Sequence, residues 1–221
     1  MTQRRPPAPV GRSISPRESR AGTQVQYATA RLISLEQQDL TQVAFAYDAA
    51  PLKPPSSMSF TLLQLSKDAL EALAASRIPQ GLEGRSEQGA MPPAFVAIRS
   101  LELAAAGHPL PWSTTFLIVD VEHAHIVGAC GFKAVPKEGR VDVGYGVAST
   151  ARGKGAATAA LDLLLRKAFQ AGATELLAEV APDNAASTRV VQKAGFERAG
   201  ARVDDDGEHV VQWVKRAGSP P

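Results

Sequence analysis

The chain has 221 residues, room for one domain of ordinary size with an appendage. Its 44% hydrophobic and 21% charged residues suit a globular protein with a core, which excludes a wholly disordered chain. A single cysteine, Cys130, excludes an intramolecular disulfide and a thiolate zinc cluster, and no apolar run approaches a membrane span. A cytoplasmic location without a membrane partner is therefore expected.

The net charge of +2 is unevenly spread, because residues 1–20 hold Arg4, Arg5, Arg12, Arg17 and Arg20 against Glu18 alone. The rest of the chain is close to neutral, so a nucleic-acid surface, which needs a concentrated basic stripe, is not the expected function. Residues 1–25 are rich in Arg, Pro, Ser and Gly and read as a disordered basic tail, with no apolar segment of the kind a secretory signal carries. Residues 26–57 form an extension with a modest apolar pattern (Leu32, Ile33, Leu35, Val43, Phe45) and a proline-rich linker at Pro51, Pro54 and Pro55. The expected domain covers residues 58–216, followed by a short tail at 217–221.

Within that domain Phe60 to Leu65 reads as a strand, and Lys67 to Ser76 as a short helix capped by Ser66. Arg77 to Pro93 is a long loop with little periodicity, of the kind more often used as a lid or binding loop than as an idle connection. Ala94 to Ala106 reads as a helix, opened by Pro92 and Pro93 and closed by Gly107. Strands are expected at Thr115 to Asp120, Ile126 to Lys133 and Val141 to Ala148, joined as hairpins through Val121 to His125 and Val135 to Arg140.

The third of these strands runs into Ser149-Thr150-Ala151-Arg152-Gly153-Lys154-Gly155-Ala156-Ala157, after which Leu161, Leu164, Leu165, Ala168 and Phe169 recur at helical spacing until Gly172. A strand, a glycine-rich turn and an amphipathic helix together aim unpaired backbone amides and the positive end of a helix dipole at an anion. Lys154 is followed by Gly155 rather than Ser or Thr, which excludes a nucleoside-triphosphate P-loop. Neither Gly144-x-Gly146 nor Gly153-x-Gly155 has the third glycine of a dinucleotide fingerprint.

Arg152-Gly153-Lys154-Gly155-Ala156-Ala157 resembles the Q/R-x-x-G-x-G/A signature of the GNAT superfamily of acetyl-CoA-dependent N-acetyltransferases. Asn184-Ala185-Ala186-Ser187 and Gln192-Lys193-Ala194-Gly195-Phe196 resemble the Asn-x-x-Ser and Glu-Lys-x-Gly-Phe stretches of the branch that includes the ribosomal-protein N-terminal acetyltransferases. That branch carries Glu-Ile-Gly-Tyr before the loop, where this chain has Asp142-Val143-Gly144-Tyr145. The likeness is specific from Gly128 to Phe196, with the intervening helix and a strand at Thr174 to Val180 in place.

The resemblance implies an α/β fold with a mixed, mostly antiparallel central sheet flanked by helices. It implies acetyl-CoA as acyl-donor substrate, with no metal. Backbone at Val147 and nearby Ser149 would pair with the pantetheine amides, and the amides of Arg152, Gly153, Lys154, Gly155, Ala156 and Ala157 would hold the pyrophosphate. The side chains of Arg152 and Lys154 either add charge there or form a solvated rim. Asn184 would bond the pantetheine arm, or cap a helix, or both. Many GNAT enzymes have a tyrosine where this chain has Val191, so that acid is missing. The strand glutamate of the resembling branch, a base acting through water, maps to Asp142, one methylene shorter; the serine that can act as acid maps to Ser187. Tyr145 is a second choice for the acid. Glu179 is a second choice for the base, although the alternation of Leu176, Ala178 and Val180 turns it toward solvent.

The expected reaction is acetyl transfer to a primary amine, on a protein N-terminus or a small molecule, by direct attack within a ternary complex. A weak, water-relayed base suits an α-amine, with a pKa of roughly 7.7 to 8.0, better than a lysine at about 10.4. The alternative is a non-catalytic acyl-CoA-binding module, which the absent tyrosine and shortened carboxylate leave open. His123 and His125 lack a third ligand for a metal. Trp112 reads as core more than acceptor pocket, Cys130 as an inert small hydrophobe, and Phe196 as the apolar residue behind a helix end. The acceptor and the oligomeric state, a homodimer being one option, are left open by the sequence.

Overall fold

The structure, a computed structural model, describes residues 59–218. The tail at 1–25, the extension at 26–57 and residues 219–221 lie outside the described residues. Seven strands form one sheet in the order β1-β2-β3-β4-β5-β7-β6, with β1 at Phe60–Gln64, β2 at Thr115–Asp120, β3 at His125–Phe132, β4 at Arg140–Val147, β5 at Glu175–Val180, β6 at Glu197–Val203 and β7 at His209–Arg216. All neighbours are antiparallel except β4 and β5. The helices are α1 (Lys67–Ala74), α2 (Ala94–Ala105), α3 (Ala156–Gln170) and α4 (Ala185–Lys193).

Local signals account for most element ends. Ser66 caps α1 by accepting from the Ala69 amide at 3.2 Å. That helix ends at Ala74, two residues early, because Ser76 adopts a positive φ of 55°. Pro93 opens α2, and Gly107 follows its end at φ 78°. Both expected hairpins form, with strand ends shifted by a residue: β3 starts at His125 and β4 at Arg140. Gly128 and Gly146 let β3 and β4 close together, since a Cβ on Gly128 would lie 2.2 Å from the Gly146 carbonyl oxygen. At the end of α4 the Phe196 amide donates to the Val191 carbonyl at 3.0 Å across Gly195, and Phe196 is buried as expected.

Alternation along the strands divides the core in two. On one face Phe116, Ile118, Cys130, Phe132, Val141, Val143, Leu176 and Ala178 meet Leu161, Leu164 and Ala168 of α3. Trp112 packs there edge-on against Phe132, with ring centroids 5.1 Å apart, a core residue rather than a pocket wall. Cys130 is buried in the same cluster, and burial pushes its thiol well up, away from reactivity. On the other face Leu117, Ile126 and Ala129 meet Leu70 and Leu73 of α1 and Ala97 and Leu103 of α2. Over β5, β7 and β6 that second face carries the polar Glu179, Gln212 and Arg202 beside the buried apolar Leu177, Val210 and Val214.

The long loop before α2 is not idle. Its segment around Ser86 lies parallel to Ile126 of β3, with the Glu87 amide donating to the Ile126 carbonyl at 2.9 Å. Thr150 Oγ1 donates to Glu87 Oε2 at 2.7 Å, tying the loop to the turn that follows β4.

Candidate active site

Parallel pairing of β4 with β5 runs only from Arg140↔Glu175 to Asp142↔Leu177. Beyond Asp142 the two strands part: β4 stays with β3 up to Val147, and β5 stays with β7 up to Val180. The parting opens a cleft through the sheet. A cavity of about 590 Å³ occupies it, lined from one face by Asp142, Glu179 and Lys133 and from the other by Tyr145, Asn184 and Ser187. Arg202 and the acidic turn Asp204, Asp205, Asp206 and Glu208 between β6 and β7 border it.

At the end of β4 the chain makes a 3-10 turn, Ser149–Ala151, and then enters α3 through Gly153 and Gly155, at φ 78° and 89°. Only glycine takes that left-handed conformation without strain, and a Cβ at either position would meet nothing within 4 Å. The first intrahelical bond is from the Ala159 amide to the Gly155 carbonyl, so the amides of Ala156, Ala157 and Thr158 precede it, and no side chain caps them. A diphosphate fits open space in front of unsatisfied amides at the positive end of a 15-residue helix. The Arg152 guanidinium turns back, with Nε donating to the Val147 carbonyl at 3.4 Å, while Lys154 stands exposed. Val147, Ser149 and Arg152 to Ala157 thus form a continuous strand end and turn outside the lining of the cavity.

Asp142, Asn184 and Ser187 are brought together around the cavity. Asn184 caps α4, its Oδ1 accepting from the Ser187 amide at 3.0 Å, an arrangement worth about 1 kcal/mol. The Tyr145 hydroxyl donates to the Ser187 backbone carbonyl at 3.3 Å, and burial pushes its pKa up to about 12. Val191 is fully buried in the core and faces no cleft. Burial pushes the Asp142 carboxyl above its ordinary range; Lys133 pulls it down and Glu179 pushes it up again. The shift moves this carboxylate toward the basicity that a proton acceptor needs.

Glu179 does not face solvent as the alternation suggested. The alternation is right about the face, but that face is walled by neighbours, and the Glu179 side chain is 5% exposed. It accepts from Lys133 Nζ at 3.2 Å, from Arg202 Nε and Nη2 at 2.7 and 3.1 Å, and from Gln212 Nε2 at 3.1 Å. Burial alone would raise its pKa, but the bonds from Arg202 and Gln212 and the Lys133 charge outweigh it and leave the carboxyl at about 2. A carboxylate held this low is a weaker proton acceptor than one at its ordinary value.

Lys133, Arg202 and the acidic turn were not visible as site residues in the sequence. Lys133 had one usable signal, a charge that closes an otherwise apolar strand. Arg202 had none, because its reach to Glu179 depends on which strands lie side by side. His123 pairs with Asp120 at 3.0 Å, and no group of three potential ligands for a metal occurs among the described residues.

Residues 91–197 match the family described as acetyltransferase (GNAT) domain. An uncharacterised N-acetyltransferase, p20, of Bacillus licheniformis is 30% identical over 87 residues, 38% of this chain and 49% of the relative; the chain thus spans about half the length of the curated relative it matches. The crystal structure of a ribosomal-protein-S5-alanine acetyltransferase from Vibrio fischeri superposes with a TM-score of 0.54 at 18% identity, over 73% of this chain and 95% of that one. An aminoglycoside acetyltransferase AAC(6')-Ib in complex with coenzyme A and kanamycin gives 0.52 at 21% identity, over 72% and 95%. At such identities the likeness of the two structures is one of fold, and it agrees with the domain match: residues 91–197 of this chain form a GNAT acetyltransferase domain.

Proposed function

We propose that this chain transfers the acetyl group of acetyl-CoA to a primary amine, with both substrates bound at once. What supports the reading is the parting of β4 and β5, which opens a cleft lined by a half-buried carboxylate of raised pKa on the strand that runs on into the open amides ahead of α3. The turn from Arg152 to Ala157 holds the diphosphate, and the free edge of β4 near Val147 pairs with the amide-bearing arm as an added strand would. Asn184 serves first as the cap of α4.

Asp142 takes the proton that the amine nitrogen loses, through a bridging water that makes up for its short side chain. The new C–N bond forms as the C–S bond breaks, and the departing thiolate takes a proton from Ser187. Asp204, Asp205, Asp206 and Glu208 give the cleft mouth a negative potential, which draws protonated amines toward it. A protein N-terminus and a small cationic amine are both compatible acceptors.

A panel of peptides, polyamines and aminoglycosides, scored by release of free CoA from acetyl-CoA, tests the proposal. Acetyl-CoA binding with turnover of at least one amine is expected. Binding without CoA release across the panel would instead mark an acyl-CoA-binding module.

A further inference from the structure

A row of charged side chains crosses the open face of the sheet: Lys133 beyond β3, Asp142 on β4, Glu179 on β5 and Arg202 on β6, with Gln212 of β7 between the last two. Two carboxylates compete for the Lys133 ammonium, which is 12% exposed and so has little water to turn to. It lies 3.2 Å from Glu179 Oε2 and 3.9 Å from Asp142 Oδ2. No described group donates a hydrogen bond to the Asp142 carboxylate, whereas Glu179 collects donors from three strands or strand ends. The register explains the imbalance. Glu179 lies opposite Gln212, and Gln212 opposite Gly200, two residues before Arg202, whose side chain reaches Glu179. Arg202 and Gln212 immobilise Glu179, and Glu179 then holds Lys133.

We propose that Glu179 is a positioning residue: by claiming the Lys133 ammonium it keeps that charge from closing onto Asp142 and leaves the Asp142 carboxylate open to take a proton. The inference rests on the reading of Asp142 as base in the proposed acetyl transfer. The charges facing Asp142 are Lys133 from the end of β3, Glu179 from β5, Arg202 from β6 and Arg140 from its own strand. With Glu179 neutral, Arg202 keeps Asp205 at 3.6 Å, whereas Lys133 loses its nearest counter-charge and Asp142, at 3.9 Å, becomes its nearest carboxylate. A salt-bridged Asp142 is a weaker base and is less accessible to water.

The test is a double-mutant cycle in the full chain, read as pH profiles of kcat/KM, whose acid limb reports the base of the free enzyme. Glu179→Gln should move that limb to lower pH and cut the plateau about tenfold, a fraction of the ~10² or more that a general base contributes. Lys133→Met should move the limb to higher pH. The double variant should return the limb toward its original position and recover most of the lost rate, because the pair is removed as a neutral unit. Additive losses with an unmoved limb would overturn the proposal. Should Glu179→Gln fail to fold, Lys133→Met decides alone: an unmoved limb there overturns it as well. Carbon-13 titration of the Asp142 carboxyl, without acetyl-CoA, follows the same shifts independently of turnover. Moved midpoints in a protein that acetylates nothing would leave the positioning intact and remove the function; unmoved midpoints in an active enzyme would do the reverse.

Discussion

Asp142 and Glu179 are both strand carboxylates within reach of one lysine, yet their surroundings drive them apart. Burial without a hydrogen-bond donor raises Asp142, whereas four donated bonds hold Glu179 down at about 2. Asp142→Asn keeps the shape and removes the proposed base, so turnover should fall by ~10²-fold or more with acetyl-CoA affinity nearly unchanged. Retained turnover from pH 6 to pH 9 in a steady-state assay would show Asp142 to be structural. Glu179 makes a prediction about stability instead. Its folded pKa lies below its ordinary 4.5, so the native state gains stability while the carboxyl is ionised and loses it as pH falls through that window. The melting temperature of Glu179→Gln should therefore lie below that of the parent above about pH 4.5, and the gap should narrow as pH drops toward about 2. Thermal melts across that range read it directly; a gap that stays constant would mean that Glu179 contributes by packing alone.

At the scale of elements, the junction between β4 and α3 is the donor site of the proposed reaction. Gly155 stands at φ 89° as the residue before α3, so any side chain there strains the backbone whether or not an anion is present. Charge and strain separate by comparing two variants. Gly155→Ala adds strain of about 1 kcal/mol and should weaken acetyl-CoA binding modestly. Gly155→Asp adds like strain plus a carboxylate facing the amides of Ala156 and Ala157, and should weaken binding by a further order of magnitude or more. Equal affinities of the two variants in titration calorimetry would remove the diphosphate from this turn. The α4 motif, by contrast, is mostly architecture: Asn184 caps the helix, Val191 and Phe196 fill the core, and only Ser187 and Asn184 reach the cleft.

For the whole molecule, the strands and helices of residues 59–218 bury two apolar clusters, one on each face of the sheet. The large apolar side chains that stay exposed are few among the described residues: Ile78, Phe95, Ile98 and Val203. Ile78 and Val203 stand singly, which is ordinary on a protein surface, whereas Phe95 and Ile98 are neighbours three positions apart on α2. A chain consisting of residues 58–221 should therefore melt with the parent's midpoint and bind acetyl-CoA with the parent's affinity. A midpoint many degrees lower, or aggregation, would assign residues 1–57 a share of the fold. No helix among the described residues is long and apolar enough to cross a membrane.

Periodicity, caps and turn residues are local physics, and they were legible in the chain before any coordinates. Ser66 and Pro93 start helices where they stand, and the glycine-rich turn at Arg152 to Ala157 joins strand to helix as its residues suggest. The paired motifs at Arg152 to Ala157 and Asn184 to Phe196 carried the family. What only the tertiary structure decided is which charges meet. Lys133, Asp142, Glu179 and Arg202 are separated by up to 69 positions in the sequence, and they share one row only because β4 joins β5 in parallel and β7 inserts between β5 and β6. A pKa depends on the dielectric and charge within a few ångströms, set by partners from other strands, so of two strand carboxyls one is pushed up at Asp142 and the other held low at Glu179.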